Sequence, residues 1–194
     1  RNLLTKIIDQ TQRRVYAGES VPVADKVVSI FEPHSDILVK GTREVRYGHK
    51  VNLATQANGF ITYLNIEQGN PADAVLYLPV VQACQDDYGQ VPDETVADGC
   101  YAAQANAHAA RDAGVKRRVF SKPAGLTLTD MGVKRKTFDR LREFRAGVEG
   151  NISEWKRAFG AGKVTWKGED GFKAYVWSTA LSYNFVRMVR FSSG

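Results

Sequence analysis

Among the charged side chains of residues 142–156, Arg142, Arg145, Glu149 and Lys156 share one helical spacing. At 100° per residue they fall within about 60° of one another on a helix. Phe138, Leu141, Phe144, Val148, Ile152, Trp155 and Phe159 step by three and four beside them and predict one broad apolar stripe. Glu149 therefore belongs on the flank of a buried face, where a carboxylate can point into a cleft between cations. Gly147 and Gly150 bracket it. Glycine inside a helix costs roughly 1 kcal/mol against alanine, so close approach by a backbone or a ligand would account for the pair. The competing reading is an exposed set of Arg–Glu pairs four residues apart, worth a few tenths of a kcal/mol, and spacing alone does not displace it.

A second acid, Asp98, follows the short run Thr95-Val96-Ala97 and precedes Gly99. Strand ends in open α/β sheets are where ligands bind, because loops there hold side chains on a rigid base. An Asp before Gly is equally an ordinary cap of a turn or helix. His34, His49 and His108 fall on different elements without zinc-like spacing, and structural or surface roles are expected for them. Asp73 fits the first turn of a helix, and Trp155, Trp166 and Trp177 are expected in the core. "VKRRVFSK" and "VKRKTFDR", with Arg187 and Arg190, are basic clusters that suit phosphate contacts or simple solvation.

The elements that must position these residues follow from the pattern along the chain. A helix is predicted over about residues 2–17, ending near Gly18, and an extended run over 26–31 closed by Pro33. "HKVNLATQ" and "FITYLNIEQ" predict two strands joined at Asn58-Gly59, a strong hairpin signal. A helix from Pro71-Ala72 to Gly89 follows, then a strand near 94–101, a helix ending at Gly114, a strand over 115–123, and helices from Lys136 onward. A hairpin joined to helix-connected strands predicts an α/β domain with a mixed sheet covered by helices.

The charge is unevenly placed. Residues 1–115 hold ten Lys and Arg against fourteen Asp and Glu, whereas residues 116–194 hold seventeen against seven. Concentration of the whole excess in one part favours a polyanion partner, of which nucleic acid is the commonest. No apolar run approaches a membrane span, so no membrane partner is expected. Two cysteines, Cys84 and Cys100, without metal-ligand spacing suit a reducing, cytoplasmic setting. The chain opens at Arg1 on a helix-like segment and is expected to be a piece of a longer protein.

Together these segments resemble one family. "R-AGV-E-GNISEW-K", with Arg145, Glu149 and Lys156, is similar to the surroundings of the last catalytic acid in DDE-type transposases of bacterial insertion sequences. "VADGCYA" resembles the segment around their second catalytic Asp. "YGHKVNLATQANGFITYLNIEQGNPADA" resembles the paired strands and "GN…D" segment between their first and second acids. "RAFGAGKVTWKG" and "FKAYVWSTALSYN" resemble their C-terminal part. The likeness runs from about Val27 to Phe191.

It implies an RNase H-like fold, with residues 1–25 a helical segment and linker and residues 26–194 the C-terminal part of the catalytic domain. It also implies metal-dependent cleavage and transfer of DNA strands by two Mg²⁺ or Mn²⁺ ions held on carboxylates. Asp98 and Glu149 carry over as catalytic metal ligands; Arg142, Arg145 and Lys156 carry over as contacts to DNA phosphate. The implied partners are double-stranded insertion-sequence ends and target DNA, bound by a homodimer in the bacterial cytoplasm beside the nucleoid. Alternatives are an inactive DNA-binding remnant and a non-transposing nuclease of the same fold. The family often has Tyr where Arg142 stands. Its first catalytic Asp is expected on a strand upstream of Arg1, because "EPHSD" reads as a Pro-broken turn and disfavours Glu32 or Asp36 as that acid.

Overall fold

The computed structural model describes residues 3–40 and 44–193. The chain divides into two compact units: residues 1–51, 66–70 and 164–178 make the first, and residues 52–65, 71–163 and 179–194 the second.

In the first unit, helix α1 (Leu3–Thr11) runs into a π-helical turn over Gln12–Tyr16, and Gly18 turns the chain away at φ 68°. Residues 26–31 are not a strand. The Gln10 side chain takes the place of a strand partner: its Nε2 donates to the Val27 carbonyl at 3.3 Å and its Oε1 accepts from the Val27 N–H at 2.8 Å. The turn through Pro33 ends sooner than the sequence implies, and Asp36 is the first residue of strand β1 (Asp36–Lys40). β1 pairs antiparallel with β2 (Glu44–Gly48), from Asp36 opposite Gly48 to Lys40 opposite Glu44. Val39 faces Val45 and Ile37 faces Tyr47 across this pair, a cross-strand match that favours the register.

β3 (Val51–Thr55) and β4 (Ile61–Ile66) pair as expected around Asn58-Gly59. Gly59 adopts φ 84°, which suits glycine, and the Asn58 side chain accepts from the Phe60 N–H at 3.2 Å. In the second unit, a 3₁₀ turn (Asp73–Leu76) leads into α2 (Tyr77–Tyr88), which ends on a left-handed Gly89. β5 (Glu94–Ala97) and β6 (Arg117–Phe120) are parallel, joined through α3 (Gln104–Asp112), with Glu94 opposite Arg117 and Ala97 opposite Phe120. α4 (Arg135–Ala158) packs on both strands. The last helix, α5 (Gly168–Ser192), belongs to the first unit up to Ser178 and to the second from Thr179. The architecture is α/β, with the described strands in three two-stranded pairs rather than one mixed sheet.

The core of the second unit gathers Tyr77 and Val81 from α2, Ala107 and Ala110 from α3, Val119 and Phe120 from β6, and Phe138 and Leu141 from α4, with Met131 among them. Trp155 is buried and its Nε1 donates to Thr179 Oγ1 at 3.2 Å. Trp166 and Trp177 are about half exposed, against the expectation of core positions. One member of the basic clusters is buried too. Arg118 donates to the carbonyls of Val115 (2.5 Å), Lys116 (3.2 Å) and Asp130 (2.8 Å), so it fastens the chain around β6 and is not a phosphate contact. Arg118→Leu leaves those carbonyls without their donors. The expected loss of stability is about 3 kcal/mol, read from the urea unfolding midpoint; an unchanged midpoint contradicts the clamp.

Candidate functional site

The parallel pairing of β5 with β6 brings two loop residues side by side. The Ser121 N–H donates to the Ala97 carbonyl at 3.0 Å, carrying the ladder one residue past β6, so Asp98 and Ser121 emerge together at the C-terminal ends of the strands. Loops at such ends are the usual ligand position of parallel sheets. Asp98 Oδ1 accepts from the Gly99 N–H at 2.7 Å and the Ser121 hydroxyl at 3.0 Å. Asp98 also caps the 3₁₀ turn Gly99–Tyr101, so the cap and the candidate ligand foreseen as rivals are the same side chain. Gly99 is required by closeness: a Cβ there would lie 2.5 Å from the Lys122 Cβ.

With Oδ1 occupied, Oδ2 faces α4. Phe138 and Leu141 anchor that helix in the core, and Arg145 and Glu149 follow one and two turns farther along. Arg145 reaches both acids: its Nη2 lies 3.2 Å from Asp98 Oδ2, and its Nη1 pairs with Glu149 Oε1. The Arg145 side chain is mostly covered, at 22% exposed, while the Asp98 and Glu149 side chains are 46% and 66% exposed. Two carboxylates fifty-one residues apart in sequence thus share one cation. Burial pushes the Asp98 carboxyl up, but the Gly99 N–H, the Ser121 hydroxyl and the charges of Arg145 and Lys122 together outweigh it and hold the group below the ordinary Asp value. Asp98 is an anion at neutral pH.

Arg142 and Lys156 do not join this cluster. Both are exposed, and among the described residues neither has a carboxylate partner. The Arg142 guanidinium lies 5.9 Å from the centroid of the Phe138 ring. Other cations of the basic half are held within the protein: Lys116 by Asp93, Arg117 and Arg140 by Glu94, and Arg187 and Arg190 by Glu154. Arg187 and Arg190 therefore have a structural partner in place of the phosphate that the sequence suggested. A Cβ at Gly147 or Gly150 would meet open space, so no neighbouring backbone demands either glycine.

The donor chemistry suits a hard divalent cation. Asp98 and Glu149 offer only oxygen, and one cationic group already satisfies both. Among the described residues no group of three or more His, Cys, Asp or Glu is placed to hold a metal ion. Sequence reasoning missed Ser121. Its signal was faint: a hydroxyl directly after the apolar end of a strand whose parallel partner ends in the acid.

A family model described as a transposase DDE domain matches residues 34–185. No curated protein and no solved structure matches the chain.

Proposed function

The chain belongs to the transposase DDE domain family, and from that premise we propose that it cleaves and transfers DNA strands at insertion-sequence ends, with Asp98 and Glu149 as its metal ligands. The observation that carries this reading is the single guanidinium spanning both carboxylates. Bound by them, Mg²⁺ or Mn²⁺ ions would supply Lewis-acid charge to the phosphoryl centre.

The protein's own part is to orient and to neutralise. Ser121 and the Gly99 N–H fix Asp98 Oδ1 and leave Oδ2 for a cation. α4 brings Glu149 to the same cation. Arg145 is the bridging group, able to turn from the carboxylates to a DNA phosphate, to which guanidinium is well matched. Arg142 and Lys156, exposed on the same helix, contact phosphate farther along the duplex. The finer reading is an RNase H-like domain over residues 26–194. It acts on double-stranded ends and target as a homodimer in the bacterial cytoplasm, at the nucleoid. No helix among the described residues is long and apolar enough to cross a membrane.

The test is strand nicking of supercoiled plasmid by the chain with Mg²⁺, with Mn²⁺, and with chelator. Cleavage only with a divalent ion supports the proposal; metal-independent cleavage contradicts it. DNA binding without any cleavage points to a binding remnant, and cleavage without strand joining on a matched end points to a nuclease. For the phosphate contacts, Lys156→Ala is expected to weaken duplex binding and to reduce the slope of log K against log salt by about 1. Fluorescence anisotropy across a salt series reads both, and an unchanged slope removes Lys156 from the DNA path.

A further inference from the structure

We propose that His34 and His49 share a single proton in a hydrogen-bonded chain anchored on Glu32 and Asp36, and that this proton locks the first unit together. Four side chains form an unbroken line. His34 Nε2 faces Glu32 Oε2 at 2.9 Å, His34 Nδ1 faces His49 Nε2 at 2.7 Å, and His49 Nδ1 faces Asp36 Oδ2 at 3.0 Å. The imidazole planes lie within 2° of parallel, and Phe172 packs against both rings, 6.2 Å and 4.6 Å between centroids. The histidine side chains are 14% and 10% exposed, so water is poorly placed to replace any of these bonds.

The backbone fixes the direction of the two end bonds. Glu32 Oε2 also accepts from the Gly168 N–H at 3.0 Å, and Asp36 Oδ2 also accepts from the Gly69 N–H at 3.0 Å. An ionised carboxylate only accepts, so with Glu32 and Asp36 as carboxylates His34 Nε2 and His49 Nδ1 each carry hydrogen and donate. The central contact needs one more hydrogen, on either His34 Nδ1 or His49 Nε2. Three hydrogens on four ring nitrogens amount to one neutral imidazole and one imidazolium. With one proton fewer, two lone pairs face each other at the centre; with one more, two N–H groups do, and two positive rings adjoin. The chain is complete in one protonation state alone.

The surrounding charges are Glu32 and Asp36 at the ends, Lys167 3.8 Å from Glu32, and Glu169, itself held by Lys173 at 2.6 Å and close enough to feel both rings. The line ties together the turn before β1, the residue between β2 and β3, the segment holding Gly69, and the first turns of α5. Gaining or losing the proton breaks the central bond and loosens all four.

The test uses the full chain. Urea unfolding is measured between about pH 5 and 9, where imidazoles titrate, for the wild type, His34→Gln and His49→Gln. Glutamine can donate and accept but cannot carry the proton. The wild type's advantage in unfolding equilibrium over each variant is expected to follow a bell in pH, on the order of tenfold at its top. A constant advantage at every pH overturns the proposal, because packing alone would give that. Should the variants fail to fold, ring ¹⁵N spectra of the wild type decide. Coupled responses of His34 and His49 support the shared proton, with His108 of α3 as the independent reference, and two independent responses overturn it.

Discussion

Asp98→Asn and Glu149→Gln are each expected to reduce divalent-dependent strand cleavage by about 10³-fold or more, while duplex binding holds or tightens. Either substitution keeps the shape of the side chain and removes its charge. In Asp98→Asn the amide would still present an oxygen to the Gly99 N–H and the Ser121 hydroxyl, so the strand end keeps its form. What is lost is the negative oxygen facing Arg145, and with it half of the charge available to a cation. DNA phosphate approaching the pair meets less repulsion, which is why binding does not fall with cleavage. The two variants differ in stability. Glu149 is 66% exposed, so Glu149→Gln is expected to stay within about 0.5 kcal/mol of wild type. In Asp98→Asn an amide NH₂ would stand opposite the Arg145 guanidinium in place of Oδ2, so that variant is expected to cost more. Cleavage assays with unfolding curves on the same preparations separate lost chemistry from lost fold. Wild-type cleavage in either variant removes that residue from the site.

Arg145→Ala is expected to move cation affinity and cleavage in opposite directions. Arg145 and a divalent ion compete for the same oxygens, Asp98 Oδ2 and Glu149 Oε1. Removing the guanidinium frees both carboxylates, so Mn²⁺ affinity should rise several-fold. Cleavage should fall by about 10²-fold, because the group that turns to the phosphate is gone. Arg145→Lys is not a neutral change, since one ammonium cannot span two carboxylates as a planar fork does. Calorimetric Mn²⁺ titration of the free protein reads the first quantity and plasmid nicking the second. A fall in both shows Arg145 to be a scaffold for the acids; a rise in both shows it to be only an inhibitory plug.

Much of the fold around the candidate site was legible because its signals are local. The apolar stripe of α4 places Phe138, Leu141 and Trp155 in the interior and leaves Arg145 and Glu149 on its flank. Asn58-Gly59 fixes the β3–β4 turn, and Gly89 ends α2. The misses are contacts between distant segments. Gln10 satisfies the backbone of Val27, which no periodicity in residues 26–31 reveals. The antiparallel β1–β2 pair hid behind Pro33, and its residues Val39, Val45 and Tyr47 are at least half exposed. His34 and His49, fifteen residues apart on no common element, meet because β2 runs antiparallel beside β1. The basic clusters, suited by sequence to phosphate contacts or simple solvation, divide in the structure: Arg118 is buried, Arg117 and Arg140 pair with Glu94, and Arg187 and Arg190 pair with Glu154.

The central claim is that Asp98 and Glu149 are the ligands of the catalytic metal. Its most direct test is Mn²⁺ binding followed by electron paramagnetic resonance on the full chain, with Asp98→Asn and Glu149→Gln beside it. Saturable binding by the wild type that is lost in both variants is the expected result. Binding that survives unchanged in both places the metal elsewhere and contradicts the claim.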